Sequence, residues 1–310
     1  MLIPEAVGAG PDLVSIIIPT WNRPDTAWIA IHTALHQSHT NVEVIVVDDG
    51  SEIPFDPGIR DNRLRIIRLE KHQGVAFARN VGMSAARGAY FSFLDDDDWY
   101  YPDKTLHQVA YLRENTELDG VFSRVVVIDG AGNQRRYLPD GYRHNCLQNF
   151  RYYNVVHTNS ALLRRCVYPA VSWDERLTKY TDMQFFLEIT RRFRLGYWNE
   201  DVATWYQQNR RDQVTSGPAP GRVARYRNNW KNFRLICDIF NKTIASSLEL
   251  RICYYGRLFI SSLKAGEWTC AVRCAVALAT GHLERYRQKS TPQDNSCPGP
   301  AAASSFHSGS

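Results

Sequence analysis

Gly88-Ala89-Tyr90-Phe91-Ser92-Phe93-Leu94-Asp95-Asp96-Asp97-Asp98-Trp99 passes without a break from an apolar segment into four consecutive carboxylates. The apolar part is short and aromatic, which reads as a strand buried on both faces. The acidic part then stands at that strand's carboxyl end. Neighbouring carboxylates repel one another, so a folded chain keeps them together where something compensates. A divalent cation, Mn2+ or Mg2+, does this, because hard cations take oxygen ligands and bridge a carboxylate to a diphosphate. The plainer reading is a solvated acidic turn that caps the helix starting near Pro102-Asp103.

Three similar runs precede it: Val14–Pro19, Val42–Val47 and Leu64–Leu69. Each reads as a buried strand. Between them lie helical patterns. Pro24 suits a first helical turn, and Ala27, Ile31, Ala34 and Leu35 follow at helical spacing. Ala78, Val81, Gly82 and Ala85 share a face of a second helix, which Gly88 is expected to stop. Strands alternating with helices predict an α/β fold with a mostly parallel, twisted sheet flanked by helices. Ligands of such sheets sit at the carboxyl ends of the strands. Asp48-Asp49 follows the second strand, at the same expected edge, and offers acceptors to a nucleobase or ribose. Its alternative is an ordinary Asp-Gly turn with Gly50. Further on, Val121–Ile128, a turn at Asp129–Asn133 and a return strand at Gln134–Leu138 read as a hairpin.

The composition excludes several classes. The 310 residues are 44% hydrophobic and 22% charged, enough for one large domain and an appendage. A net charge of +5 with no Lys/Arg stripe argues against nucleic acid and suits an anionic ligand such as a pyrophosphate. Seven scattered cysteines without a Cys-x-x-Cys pair argue against a disulfide framework or a zinc site. With no secretory start and no apolar run of about 18 residues, a cytoplasmic location is expected, with peripheral contact at the inner face of the membrane as an option.

Five segments in order resemble the family 2 inverting glycosyltransferases of GT-A type fold: Val14-Ser15-Ile16-Ile17-Ile18-Pro19-Thr20-Trp21-Asn22-Arg23, Val44–Ser51, Gly74–Gly82, Gly88–Asp98 and Pro102–Leu106. Their order and spacing together are far more specific than any one alone. The resemblance implies a nucleotide-diphosphate sugar donor and a saccharide or lipid-linked saccharide acceptor. It also implies an approximate division of labour. Pro19, Thr20 and Trp21 line the nucleobase pocket, Asp49 contacts the base, and Arg79 lies near the nucleotide. Asp95 and Asp96 face the ribose and donor sugar, and Asp97 holds the metal. Asp at position 96, where the family commonly has Ser or Ala, departs from the pattern.

The same resemblance implies that Asp182, in Lys179–Leu187, is the catalytic base, although a Thr stands before it where the family often has Glu. From the residues alone, Asp182 reads as a helix N-cap rather than a base, with Phe186, Ile189 and Phe193 as the apolar face behind it. His157, in His157-Thr158-Asn159-Ser160, falls in a loop near the acceptor, or serves as a structural histidine. Residues 206–216 fall where relatives carry a flexible segment near the donor phosphates. The expected organisation is a glycosyltransferase domain at 13–216 (nucleotide-sugar binding 13–110, acceptor half 111–216), a helical region at 222–288 and a disordered tail at 289–310. Trp230, Phe233, Tyr254, Tyr255 and Phe259 read mostly as core of that helical region, with a basic amphipathic membrane-facing surface as the alternative. Competing functions are an inactive nucleotide-sugar binder of the same fold, which would be expected to have lost Asp97 or Asp182, and a sugar-phosphate nucleotidyltransferase. The latter normally carries a Gly-rich phosphate loop where this chain has Pro19–Arg23.

Overall fold

The computed structural model describes residues 12–137, 156–207, 222–240, 244 and 248–280. The expected return-strand end at Leu138, most of the donor-phosphate segment, the 216–221 linker, residues 281–288 and the 289–310 tail lie outside them.

Among the described residues, nine strands form one sheet in the order β3-β2-β1-β4-β8-β6-β9-β5, with β7 paired to β6. The first half holds β1 (Val14–Thr20), β2 (Val42–Asp48), β3 (Leu64–Arg68) and β4 (Tyr90–Phe93). All pairings within it are parallel. Helices α1 (Pro24–Leu35) and α2 (Val75–Ala85) make its crossovers. The second half adds β5 (Trp99–Tyr100), α3 (Lys104–Glu114), β6 (Gly120–Asp129), β7 (Gln134–Tyr137), β8 (Leu162–Arg164), α4 (Thr181–Arg192) and β9 (Leu195–Gln207). Here β4–β8, β6–β8, β6–β7 and β5–β9 are antiparallel, while β6–β9 is parallel. A helical region of α5 (Arg222–Ile239), α6 (Leu248–Ala265) and α7 (Trp268–Thr280) follows.

The strand alternation decides the packing. Val14, Ile16 and Ile18 face Ala30, Ile31 and Ala34 of α1, whereas Ile17 points the other way, to Ala76 and Met83 of α2. Each such side chain contributes about 1.5–3 kcal/mol by leaving water. Two sequence expectations need correction. The run at Leu64–Leu69 is not buried on both faces: β3 is the edge strand, its residues are half-exposed or exposed, and only β2 pairs with it. Nor does Gly88 stop α2, which ends at Ala85 with Ala86 already extended. Gly88 is instead required by close approach, since a Cβ there would run into the backbone oxygens of Leu13 and Tyr90.

The helical region shares its core with the sheet domain. Trp230, Phe233, Ile236, Tyr254, Tyr255 and Leu258 are buried in one cluster with Phe93, Phe185, Phe186 and Leu187. The aromatics read from the sequence as core are therefore core, with Phe259 packed at its margin.

Candidate active site

The sheet itself brings the candidate residues together. Strand β1 lies between β2 and β4, with Thr20 beside Asp48 and Ile17 beside Phe93. The three parallel strands thus deliver Pro19–Arg23, Asp49 and Asp95–Asp98 to one edge, as expected at the carboxyl ends. Two contiguous cavities open there, of about 410 and 270 Å3, with Pro19, Arg23, Val75, Asp96 and Thr178 on the walls of both.

Thr20, Trp21, Asp49, His72 and Gly74 line the smaller cavity. Asp49 is buried and tightly held: Gln73 N and Gly74 N donate to its two oxygens at 2.8 Å each, and His72 Nδ1 lies 2.9 Å from Oδ2. Gly50 makes this possible. Its φ of 70° is left-handed, and a Cβ would enter the Lys71–His72 backbone, so only glycine lets the 71–74 loop close on Asp49. Trp21 is exposed and stacks on the His72 ring with centroids 4.0 Å apart. Asp48 faces away from the cavity and is structural, accepting from Ser51 N, Phe55 N and Arg68 Nη1.

The acidic run is not four equivalent ligands. Asp95 receives Arg79 Nη2 at 2.5 Å. Asp96 is buried between Thr20 Oγ1 at 2.8 Å and Arg23 Nη1 at 3.0 Å. Burial pushes its carboxyl up to about 7 against the pull of Arg23. Asp97 lies 3.4 Å from the same Arg23 nitrogen. Asp98 turns inward, where Asn159 Nδ2 donates to one oxygen at 2.5 Å and Tyr206 N to the other at 2.6 Å. Burial holds the Asp98 carboxyl well above the usual range. Asn159 also accepts Asp95 N at 3.1 Å, so one buried amide clamps both ends of the acidic turn. Beneath it, the buried Lys104 Nζ reaches Ser92 Oγ at 3.0 Å, Gln108 Oε1 at 2.9 Å and Ala161 O at 3.3 Å. Lys104 thereby ties β4 to the segment that carries Asn159.

Asp182 and His157 line the larger cavity together with Asp95–Asp98 and Arg79. Helix α4 starts just before Asp182, after Tyr180 turns through a left-handed φ of 60°. Asp182 is therefore in the first turn and is not the N-cap, although its Oδ1 accepts Met183 N at 2.8 Å. Burial raises its carboxyl, Arg79 opposes this and Asp95 reinforces it. The apolar face expected behind it is present, with Phe186 and Ile189 buried and Phe193 packed at the core's margin. His157 does cap a short 3-10 turn, Thr158–Ser160, accepting Asn159 N at 3.3 Å, and its ring lies 5.0 Å from that of Trp205. Burial depresses its imidazole to about 4, so it is neutral at pH 7.

Apart from Asp48, the carboxylates, Arg79, His157 and Pro19–Trp21 read from the sequence therefore reach one of the two cavities. The sequence reading missed Arg23, which bridges Asp96 and Asp97; His72, which backs Trp21; and Asn159 and Trp205. Arg23 and Asn159 lay inside segments already singled out, but nothing local marks which side chain of a segment turns toward the crevice.

The family model for glycosyl transferase family 2 matches residues 15–168. Residues 15–168 form a glycosyltransferase family 2 domain. An uncharacterized glycosyltransferase of Rickettsia felis is 42% identical over 106 residues, 33% of this chain and 17% of that protein. This chain therefore spans under a fifth of that relative. The UDP-Glc:alpha-D-GlcNAc-diphosphoundecaprenol beta-1,3-glucosyltransferase of Escherichia coli is 36% identical over 104 residues, 33% of this chain and 41% of that protein. Among solved structures, S. aureus TarS 1-349 in complex with UDP-GlcNAc shares the fold, with a TM-score of 0.57 at 15% identity over 88% of this chain and 93% of that one.

Proposed function

We propose that this family 2 glycosyltransferase moves a sugar from a nucleoside diphosphate sugar to an acceptor hydroxyl, with inversion, in the assembly of a polysaccharide or glycolipid. One observation carries the reading: Asp97 and Asp182 line a single cavity of about 410 Å3 that is contiguous with the cavity of Trp21 and Asp49. A nucleoside on Trp21 and Asp49 directs its diphosphate toward Arg23 and the acidic turn. Arg79, a buried cation on the wall of the larger cavity, supports an anionic occupant as well. The names of the relatives point the same way: the TarS complex holds UDP-GlcNAc and the Escherichia coli enzyme acts on a diphosphoundecaprenol-linked sugar.

Transfer with inversion needs a carboxylate that takes the acceptor's proton as the hydroxyl attacks. Asp182 has that chemistry, and burial makes it a stronger base than a free carboxylate. The same burial makes His157 a weaker one. Arg79 orients Asp95, and Arg23 holds Asp96 and Asp97 in one geometry. Among the described residues, no three His, Cys, Asp or Glu side chains gather around one point. Asp97, on the wall of the larger cavity, would hold Mn2+ or Mg2+ there with the oxygen donor that hard cations take. When bound, the cation neutralises the leaving diphosphate.

The test is a screen of nucleotide sugars with Mn2+ or Mg2+ and saccharide or lipid-linked acceptors, reading released nucleoside diphosphate. Release from one donor class, suppressed by a chelator, is expected. Tight donor binding without any release would instead mark an inactive binder of the same fold.

A further inference from the structure

Helices α6 and α7 join through a tight turn at Gly266, whose φ is 77°. Their inner faces are core: Tyr255, Leu258 and Ala265 of α6, and Ala271, Cys274 and Ala277 of α7. The outer face of α7 is also apolar. Trp268, Val272 and Val276 are 68%, 63% and 53% exposed, and their i, i+4, i+8 spacing sets them in one row. Ile260 of α6, 51% exposed, adds to the apolar surface of the hairpin. Arg257, Lys264 and Arg273 are exposed on the same two helices.

The charge of the helical region is one-sided in sequence. Residues 222–280 contain ten Lys and Arg against three Asp and Glu, whereas residues 1–221 contain 24 against 27. The cations are therefore concentrated in the helical region, and the catalytic part of the chain is mildly acidic. We propose that the outer face of α6–α7 docks this protein onto an anionic lipid bilayer. A tryptophan with small aliphatics alongside, bordered by Lys and Arg, suits the bilayer boundary, where the ring sits at headgroup depth and the cations reach the phosphates. Among the described residues no helix is long and apolar enough to cross a membrane, so the contact is in the interface plane.

The helical region that carries the docking surface also reaches the wall of the crevice, through α5. Asn229 of α5 lines the larger cavity, and Asn232 Oδ1 accepts Thr178 N at 2.8 Å and Lys179 N at 3.1 Å beside it. A bilayer held by this region would present a lipid-linked acceptor to a crevice that the same region helps to close. Only that point rests on the proposed glycosyl transfer; the docking surface stands on its own.

Vesicle flotation tests it on the full chain, with phosphatidylglycerol–phosphatidylcholine vesicles against phosphatidylcholine alone. The protein should float with the anionic vesicles and be released by high salt. The triple variant Trp268→Ser, Val272→Ser, Val276→Ser should bind them at least tenfold more weakly, with donor binding and melting unchanged. Quenching of tryptophan fluorescence by brominated lipid should fall in Trp268→Phe, which keeps the fold. Absence of anionic-vesicle binding, or equal binding by the triple variant, overturns the proposal. So does self-association that the triple variant abolishes in a protein that does not bind vesicles, since it would assign the row to a second copy. Vesicle binding without sugar transfer would keep this surface and remove the catalytic reading.

Discussion

Burial moves the two candidate bases apart: it raises the Asp182 carboxyl and lowers the His157 imidazole to about 4. A base works when deprotonated, so transfer should fall on the acid side as Asp182 gains its proton. That limb should lie at higher pH than for an ordinary carboxylate, because the shift is upward. Asp182→Asn should remove the limb and cost at least about a hundredfold in kcat. Its melting temperature should change little, since Asp182 is not the helix cap. An early-melting variant with normal turnover would return the residue to a structural role. For Asp97→Asn, transfer should be lost and Mn2+ affinity should drop, measured by calorimetry, with stability within about 0.5 kcal/mol because the side chain is partly exposed. Full turnover of wild-type protein in a chelator would contradict the metal assignment.

Single elements owe their geometry to contacts that are remote in sequence. Asn159 sits in a three-residue turn yet fixes the acidic turn 61 to 64 positions earlier. Asn159→Ala leaves the Asp95 amide and the Asp98 carboxylate without that partner, which should cost about 1–3 kcal/mol in chemical denaturation. It should also weaken transfer by letting the turn drift. Wild-type stability in this variant would mean that water replaces the amide. Gly88 makes a second case. As a helix stop it would tolerate alanine with a small loss. As a close-approach residue between the Leu13 and Tyr90 oxygens, it should lose about 1–3 kcal/mol in Gly88→Ala, because a backbone obstacle cannot rotate away.

At the scale of the molecule, the helical region and the sheet domain behave as one cooperative body, because they share a core. Phe233 is buried, stacks on Tyr254 at 5.9 Å and meets the Tyr180 ring edge-on at 6.0 Å, next to the start of α4. Phe233→Ala should cost about 3–5 kcal/mol. The loss should appear as a downward shift of one transition, seen alike in calorimetry and in near-ultraviolet circular dichroism. Two separated transitions would mean that α5–α7 fold independently of the sheet.

Local patterns were enough to read the parallel half. The runs ending at Pro19, Val47 and Leu94 are apolar because each is covered on both sides, and such burial writes itself into the chain. The same logic misplaced β3, because Leu64–Leu69 looks alike whether or not a second neighbour pairs with it; being at the edge is a property of the sheet. The acidic run at Asp95–Asp98 could be read as a site, since four adjacent carboxylates after a buried strand are costly without a purpose. What each carboxylate does could not be read. Asp96 meets Arg23, Asp98 turns to Asn159, and Asp97 faces the larger cavity. Those fates depend on partners 61 to 73 residues away. The outer row of α7 was equally hidden, because Val272 and Ala271 differ little as residues, and only packing decides which of them faces water. Sequence alone determined the strands of the parallel half, their carboxyl edge and the chemical groups delivered to it, because these follow from local burial and connection. The tertiary structure alone decided which of those groups are spent on holding the fold and which face the cavities, because a side chain's role is set by neighbours that only the folded chain brings within a few ångströms.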